Sequence, residues 1–115
     1  MSGWIGFDLD GTLAHYLGWK GVSHIGAPIP LMIERVKELL AHGQQVKIFT
    51  ARVCSMNTEE ERTQAREAID AWCLEHIGQK LEITAEKDYH MTEYYDDRAF
   101  TVEFNTGRYF TPSMF

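Results

Sequence analysis

The sequence predicts an α/β fold, a three-layer α/β/α sandwich built on a mostly parallel sheet. Two short apolar runs, Trp4 to Phe7 and Val46 to Phe49, each break off into polar residues, and a segment of helical periodicity follows each of them. Strands alternating with helices imply right-handed crossovers, which lay successive strands side by side beneath their helices.

Trp4-Ile5-Gly6-Phe7 reads as a buried strand emptying into the polar turn Asp8-Leu9-Asp10-Gly11-Thr12. From Leu13 to Ala27 glycines and aromatics alternate without a period, so this stretch is expected to be a loop, with room for a small hairpin around Trp19 to Val22. Pro30 suits a first helical position, Met32, Ile33, Val36, Leu39 and Leu40 follow at helical spacing, and Gly43 marks the stop. Val46 to Phe49 is a second strand ending in Thr50-Ala51-Arg52. Thr58-Glu59-Glu60-Glu61 has the pattern of a capping box, opening a helix whose Ala65, Ala68, Ile69, Trp72 and Ile77 share a face before Gly78. Leu81 to Thr84, Glu93 to Tyr95 and Phe100 to Phe104 complete the expected strands.

At 115 residues the chain fits one domain, residues 1–115, and 44% hydrophobic with 24% charged residues is the balance of an ordinary globular fold. A net charge of -6 repels nucleic-acid backbones and disfavours a non-specific DNA or RNA binder. No apolar run is long enough to span a bilayer, and the start lacks the features of a signal peptide, so a cytoplasmic protein is expected, with no membrane partner. Cys54 and Cys73 lack CxxC spacing and are read as reduced thiols without a chemical role. The histidines, including His15, His24 and His90, have no zinc-site spacing and are read as surface or loop residues.

Asp8 and Asp10 stand two residues apart, so in extended chain their carboxylates point the same way and repel unless a cation or proton joins them. A hard cation such as magnesium answers that need with oxygen ligands, although an isolated DxDG also arises in solvated turns and calcium loops. Three further clusters give the pair a context. Thr50 follows the second strand, Lys87 precedes the fourth, and Asp96-Asp97 follows it. Open α/β sheets bind ligands at the carboxyl ends of their strands.

In these residues the chain resembles the haloacid dehalogenase superfamily. Its first motif is matched by Asp8-Leu9-Asp10-Gly11-Thr12, its second by Thr50, its third by Lys87 and its fourth by Asp96-Asp97, in the family's order. The resemblance runs over residues 4 to 107. It is nearest to small phage- and prophage-type hydrolases, which share runs like Val46 to Arg52 and Tyr95 to Ala99 followed by Asn105-Thr106-Gly107.

The resemblance implies a Rossmann-like fold and a magnesium-dependent phosphatase. Asp8 would be the nucleophile that forms an aspartyl-phosphate, and Asp10 the general acid and base. Mg2+ would be bound by Asp8, by the backbone carbonyl of Asp10 and by Asp96, Asp97 or both, with Asp96 preferred as the direct ligand. Thr50, Lys87 and backbone N–H groups at Leu9 and Ala51 would bind the transferring oxygens. Thr12 is expected to orient the Asp10 loop more than to touch substrate. Arg52 is either a substrate contact at the mouth or a surface charge, and Arg98 is read the same way.

Neither Leu13 to Ala27 nor the stretch around Ile83 to Met91 is long enough for a cap domain. An open mouth suits a phosphorylated substrate that covers it, such as a nucleotide, a nucleic-acid end or a protein, unless a second subunit of a homo-oligomer provides the lid. Two other readings compete. A receiver-like phospho-acceptor shares the residue types but carries its acidic pair first and lacks an acid two residues after its phosphorylated Asp. A catalytically idle phosphate-binding module of the same fold would not need every catalytic position filled, as it is here.

Overall fold

The computed structural model describes residues 3–111. Strand β1 (Trp4–Asp8) lies inside the sheet, with β2 (Val46–Phe49) and β4 (Met91–Tyr95) on its two sides and β3 (Glu82–Thr84) beyond β2, giving the order β3-β2-β1-β4. Every pairing in this sheet is parallel, with Phe7 opposite Ile48 on one side and Tyr95 on the other. Two helices connect the strands, α1 (Pro30–Ala41) between β1 and β2 and α2 (Glu59–His76) between β2 and β3. This is the expected α/β, Rossmann-like sheet.

Alternation along the strands decides what each face meets. Ile5, Phe7, Val46, Ile48 and Ile83 point to one side and form a single core with Ile33, Val36 and Leu39 of α1 and Ala65, Ile69, Trp72 and Cys73 of α2. Phe7 is fully buried and stacks on Tyr95 with ring centroids 4.3 Å apart. Both helices lie on that side; on the other, in place of the second helical layer of the expected α/β/α sandwich, the link 85–90 carries the chain from β3 across to β4 without a helix. Asp88 in that link accepts a hydrogen bond from Trp4 Nε1 at 2.8 Å and lies 3.9 Å from Lys47 Nζ, which itself stands over the Trp4 ring.

Both helix boundaries follow local chemistry. Pro30 opens α1, and Thr58 and Glu61 form a reciprocal capping box at the start of α2, with Thr58 Oγ1 accepting from Glu61 N at 3.1 Å and Glu61 Oε1 accepting from Thr58 N at 2.9 Å. Gly43 and Gly78 both adopt positive φ just past their helices.

Two further expectations are corrected. The stretch from Trp19 to Val22 forms no hairpin. The loop is held instead by its ends and by α2: Ala14 bridges Asp10 and Pro28, His15 N donates to Ala27 O, and Trp72 Nε1 donates to Gly26 O at 3.0 Å. The fifth strand shrinks to β5 (Thr101–Val102) and leaves the sheet to pair antiparallel with β6 (Tyr109–Phe110). Only residues 96–100 separate β4 from β5, too few for the crossover that a parallel neighbour requires. A reversing turn with Asn105 and Gly107 at positive φ closes the local hairpin. No cap domain is inserted among the described residues, and none of their helices is long and apolar enough to cross a membrane.

The Trp72–Gly26 bond makes loop position depend on the core. Trp72→Phe keeps the ring and removes the donor, and is expected to destabilise the chain by about 1–3 kcal/mol through the stranded carbonyl. Urea denaturation reads that loss, and limited trypsin digestion is expected to cut faster after Lys20 than at other sites.

Candidate active site

The strand order brings the carboxyl ends of β1, β2 and β4 together, and every acidic motif residue hangs from one of those ends. One carboxylate oxygen from each of Asp8, Asp96 and Asp97 lies within 4.8 Å of the other two. Burial, reinforced by the facing Asp96 and Asp97 carboxylates, pushes Asp8 up to about 7. Its own burial, and after it the charges of Asp96 and Asp8, push the Tyr94 phenol, which is hydrogen-bonded to Asp96, above its ordinary range. Three carboxylates held this closely form an all-oxygen cradle of the kind a hard divalent cation fits.

Thr12 ties the cradle together. Its buried hydroxyl lies 3.3 Å from Asp8 Oδ2 and 3.4 Å from Asp97 Oδ1, to either of which it can donate, and accepts from Asp97 N at 3.1 Å. Gly11 lets Asp97 come this near: a Cβ there would stand 2.7 Å from Asp97 Oδ2, and its φ of +91° also favours glycine. Leu9 is fully buried in the core, so its role in a site is confined to its backbone.

Asp10 is placed apart from the cradle by a partner that sequence spacing did not disclose. Arg52 grips both its carboxylate oxygens, Nε to Oδ2 at 2.9 Å and Nη2 to Oδ1 at 2.8 Å, and donates through Nη1 to the carbonyls of Gly21 and Val22. Arg52 is 5% exposed, so it is not a surface charge. No backbone N–H of the described residues donates to the Asp10 carbonyl, the group expected to face magnesium. The short 3-10 turn Ala51–Val53 after β2 aims Arg52 inward, with Thr50 Oγ1 accepting from Arg52 N. Thr50 is itself buried, and its backbone N–H is used by Thr84 O.

Asp8, Asp10, Thr50, Ala51, Arg52 and Asp97 line one hollow of about 580 Å3, together with Arg98 and a rim of Tyr16, Trp19 and Met56. Lys87 is exposed and lines a separate hollow beside Phe49 and Tyr94. Arg98, read from the sequence as either a mouth contact or a surface charge, lines the hollow, whereas the rim is what motif reading passed over. Arg98 follows the acidic pair directly in sequence, but the aromatic rim comes from a loop without any periodic signal.

No protein-family model and no curated protein matches the sequence. Among solved structures the chain is similar to a conserved protein coded by a locus from Bacteroides thetaiotaomicron, at 21% identity and a TM-score of 0.57, over 86% of this chain and 78% of that one. At this identity the likeness extends to the fold.

Proposed function

We propose that the chain is a magnesium-dependent phosphohydrolase of the haloacid dehalogenase type, which cleaves phosphomonoesters through an aspartyl-phosphate on Asp8. The observation that carries this reading is the convergence of Asp8, Asp96 and Asp97 within 4.8 Å at the strand ends, with Asp10 and Thr50 in the same hollow. Asp8, Asp96 and Asp97, with the Asp10 carbonyl, would hold the magnesium ion. Bound there, it supplies the positive charge that offsets repulsion between an anionic nucleophile and an anionic phosphate.

The chain's own residues then divide the work. A carboxylate oxygen of Asp8 bonds to phosphorus as the ester P–O bond breaks, and a proton from Asp10 goes to the departing oxygen. Water next attacks the same phosphorus, gives its proton to Asp10, and releases inorganic phosphate and the Asp8 carboxylate. Thr12 orients Asp8 throughout, while the Thr50 hydroxyl donates a hydrogen bond to the transferring oxygens. Arg52 positions Asp10 by holding both its oxygens. Besides Arg52, which is committed to Asp10, Arg98 is the cation lining the hollow, and Lys87 reaches the phosphate only by leaving its own hollow.

The decisive experiment is magnesium-dependent release of inorganic phosphate from an aryl phosphate. Asp8→Asn is expected to abolish it and Asp10→Asn to slow it by about 10²- to 10⁴-fold. Multiple turnover by Asp8→Asn would end the proposal.

The ranking of the two cations is also measurable. Arg98→Ala is expected to raise KM about tenfold, the loss of roughly one charge-assisted hydrogen bond, and Lys87→Ala to raise it less. The reverse ranking would place Lys87 at the phosphate.

The crowded carboxylates make stability depend on pH and metal. With Asp8 at about 7 when folded and 3.8 as its ordinary value, the folded chain holds a proton that the unfolded chain has lost across that window, so stability falls as pH rises through it. Asp8→Asn removes the effect. With metal chelated, the variant is expected to melt above the parent at pH 8 and level with it near pH 4. Added magnesium should raise the melting temperature of the parent more than that of the variant, as scanning calorimetry would record.

A further inference from the structure

We infer that the substrate's leaving group ends in a nucleobase, so that the chain acts on nucleoside monophosphates with Trp19 and Tyr16 as the platform for the base. This inference rests on the phosphohydrolase reading and deepens it. The acidic centre and an aromatic rim share one hollow. Trp19 is 57% exposed, Tyr16 48% and Met56 93%, and all three line that hollow, so their apolar faces are open to a ligand seated in it. Flat aromatic faces and a polarizable thioether are the surfaces on which bases stack, and stacking accepts any base because each has a π-face.

The platform is anchored rather than loose. The Arg52 guanidinium lies 4.9 Å from the Trp19 ring centroid, and that guanidinium is itself fixed by Asp10, Gly21 and Val22. One buried arginine therefore orients both the proton-transferring carboxylate and the exposed ring. It also sets their separation. Asp10 and the Trp19 ring are separate neighbours of that one guanidinium and do not touch each other in any contact seen, so an aromatic group on the platform needs a spacer between itself and the ester. A ribose supplies that spacer, whereas the ring of an aryl ester or phosphotyrosine is joined directly to the ester oxygen. A hollow of about 580 Å3 suits a ligand of this size. A mononucleotide also brings a single phosphate to a chain of net charge -6, which a long polyanion would not.

The test compares kcat/KM, with magnesium, for adenosine and uridine 5′-monophosphates, ribose 5-phosphate and phosphotyrosine. The nucleotides are expected to exceed ribose 5-phosphate by about 5- to 150-fold, the range that base stacking provides. Trp19→Ala should shrink that ratio toward one, and Trp19→Phe should retain most of it. A second readout is independent of turnover. Trp4 and Trp72 are 2% and 8% exposed, so quenching of tryptophan fluorescence by adenosine monophosphate, but not by ribose 5-phosphate, reports on Trp19. Equal kcat/KM for nucleotide and ribose 5-phosphate without quenching would overturn the platform, as would phosphotyrosine outrunning both nucleotides. Quenching without hydrolysis of any phosphomonoester would overturn the phosphohydrolase reading and leave a nucleotide-binding site. Absence of both would overturn the two together.

Discussion

Three carboxylates held within 4.8 Å of one another are the constraint around which the rest of the molecule is arranged. Like charges at that distance push apart, and nothing in their own chemistry keeps them together. The sheet does so. Asp8 ends a strand paired on both sides, and Asp96 and Asp97 leave the end of its neighbour β4. The stack of Phe7 on Tyr95 and the buried Thr12 hydroxyl lock those two ends in register, one from the core and one from the site. A proton on Asp8 relieves part of the residual repulsion, and a divalent cation would do the same, so proton uptake and stability are coupled here.

A second centre, Arg52, connects this acidic end to the loop above it. Four hydrogen bonds run from its side chain to Asp10, Gly21 and Val22, and its flat cation lies against Trp19. Burying such an ion is tolerable only when its donors are satisfied, and here loop carbonyls complete what one carboxylate begins. The loop from Leu13 to Ala27 thus needs no secondary structure of its own. It is pinned at one point by Arg52 and at another by Trp72 of α2, so a segment of irregular sequence presents a fixed aromatic rim.

Substrate access follows from what the fold omits as well as what it holds. With no cap inserted among the described residues, the hollow stays open and its walls are the loop, the turn after β2 and the start of the chain beyond β4. Under the proposed phosphohydrolase reading, recognition beyond the phosphate would come from those walls, which are aromatic on the loop side and cationic at Arg98.

The sequence by itself determined the elements whose signals are local. Alternating apolar runs located β1 and β2, Pro30 and the Thr58–Glu61 pair located the helix starts, and paired aspartates at strand ends located the acidic centre. Those signals lie within a few residues of one another, where propensity and capping act. The tertiary structure alone decided what depends on long-range partners. Arg52 and Asp10 are 42 residues apart in the chain, so no spacing rule tells a buried bidentate pair from a surface charge. Lys87 sits before β4 as a motif would have it, but the route of the 85–90 link turns it into another hollow. Phe100 to Phe104 alternates like a sheet strand, yet the short connection after β4 denies it a parallel place and a reversing turn provides an antiparallel one. Local pattern chose the elements, while chain connectivity and the burial of a single arginine chose which side chains meet.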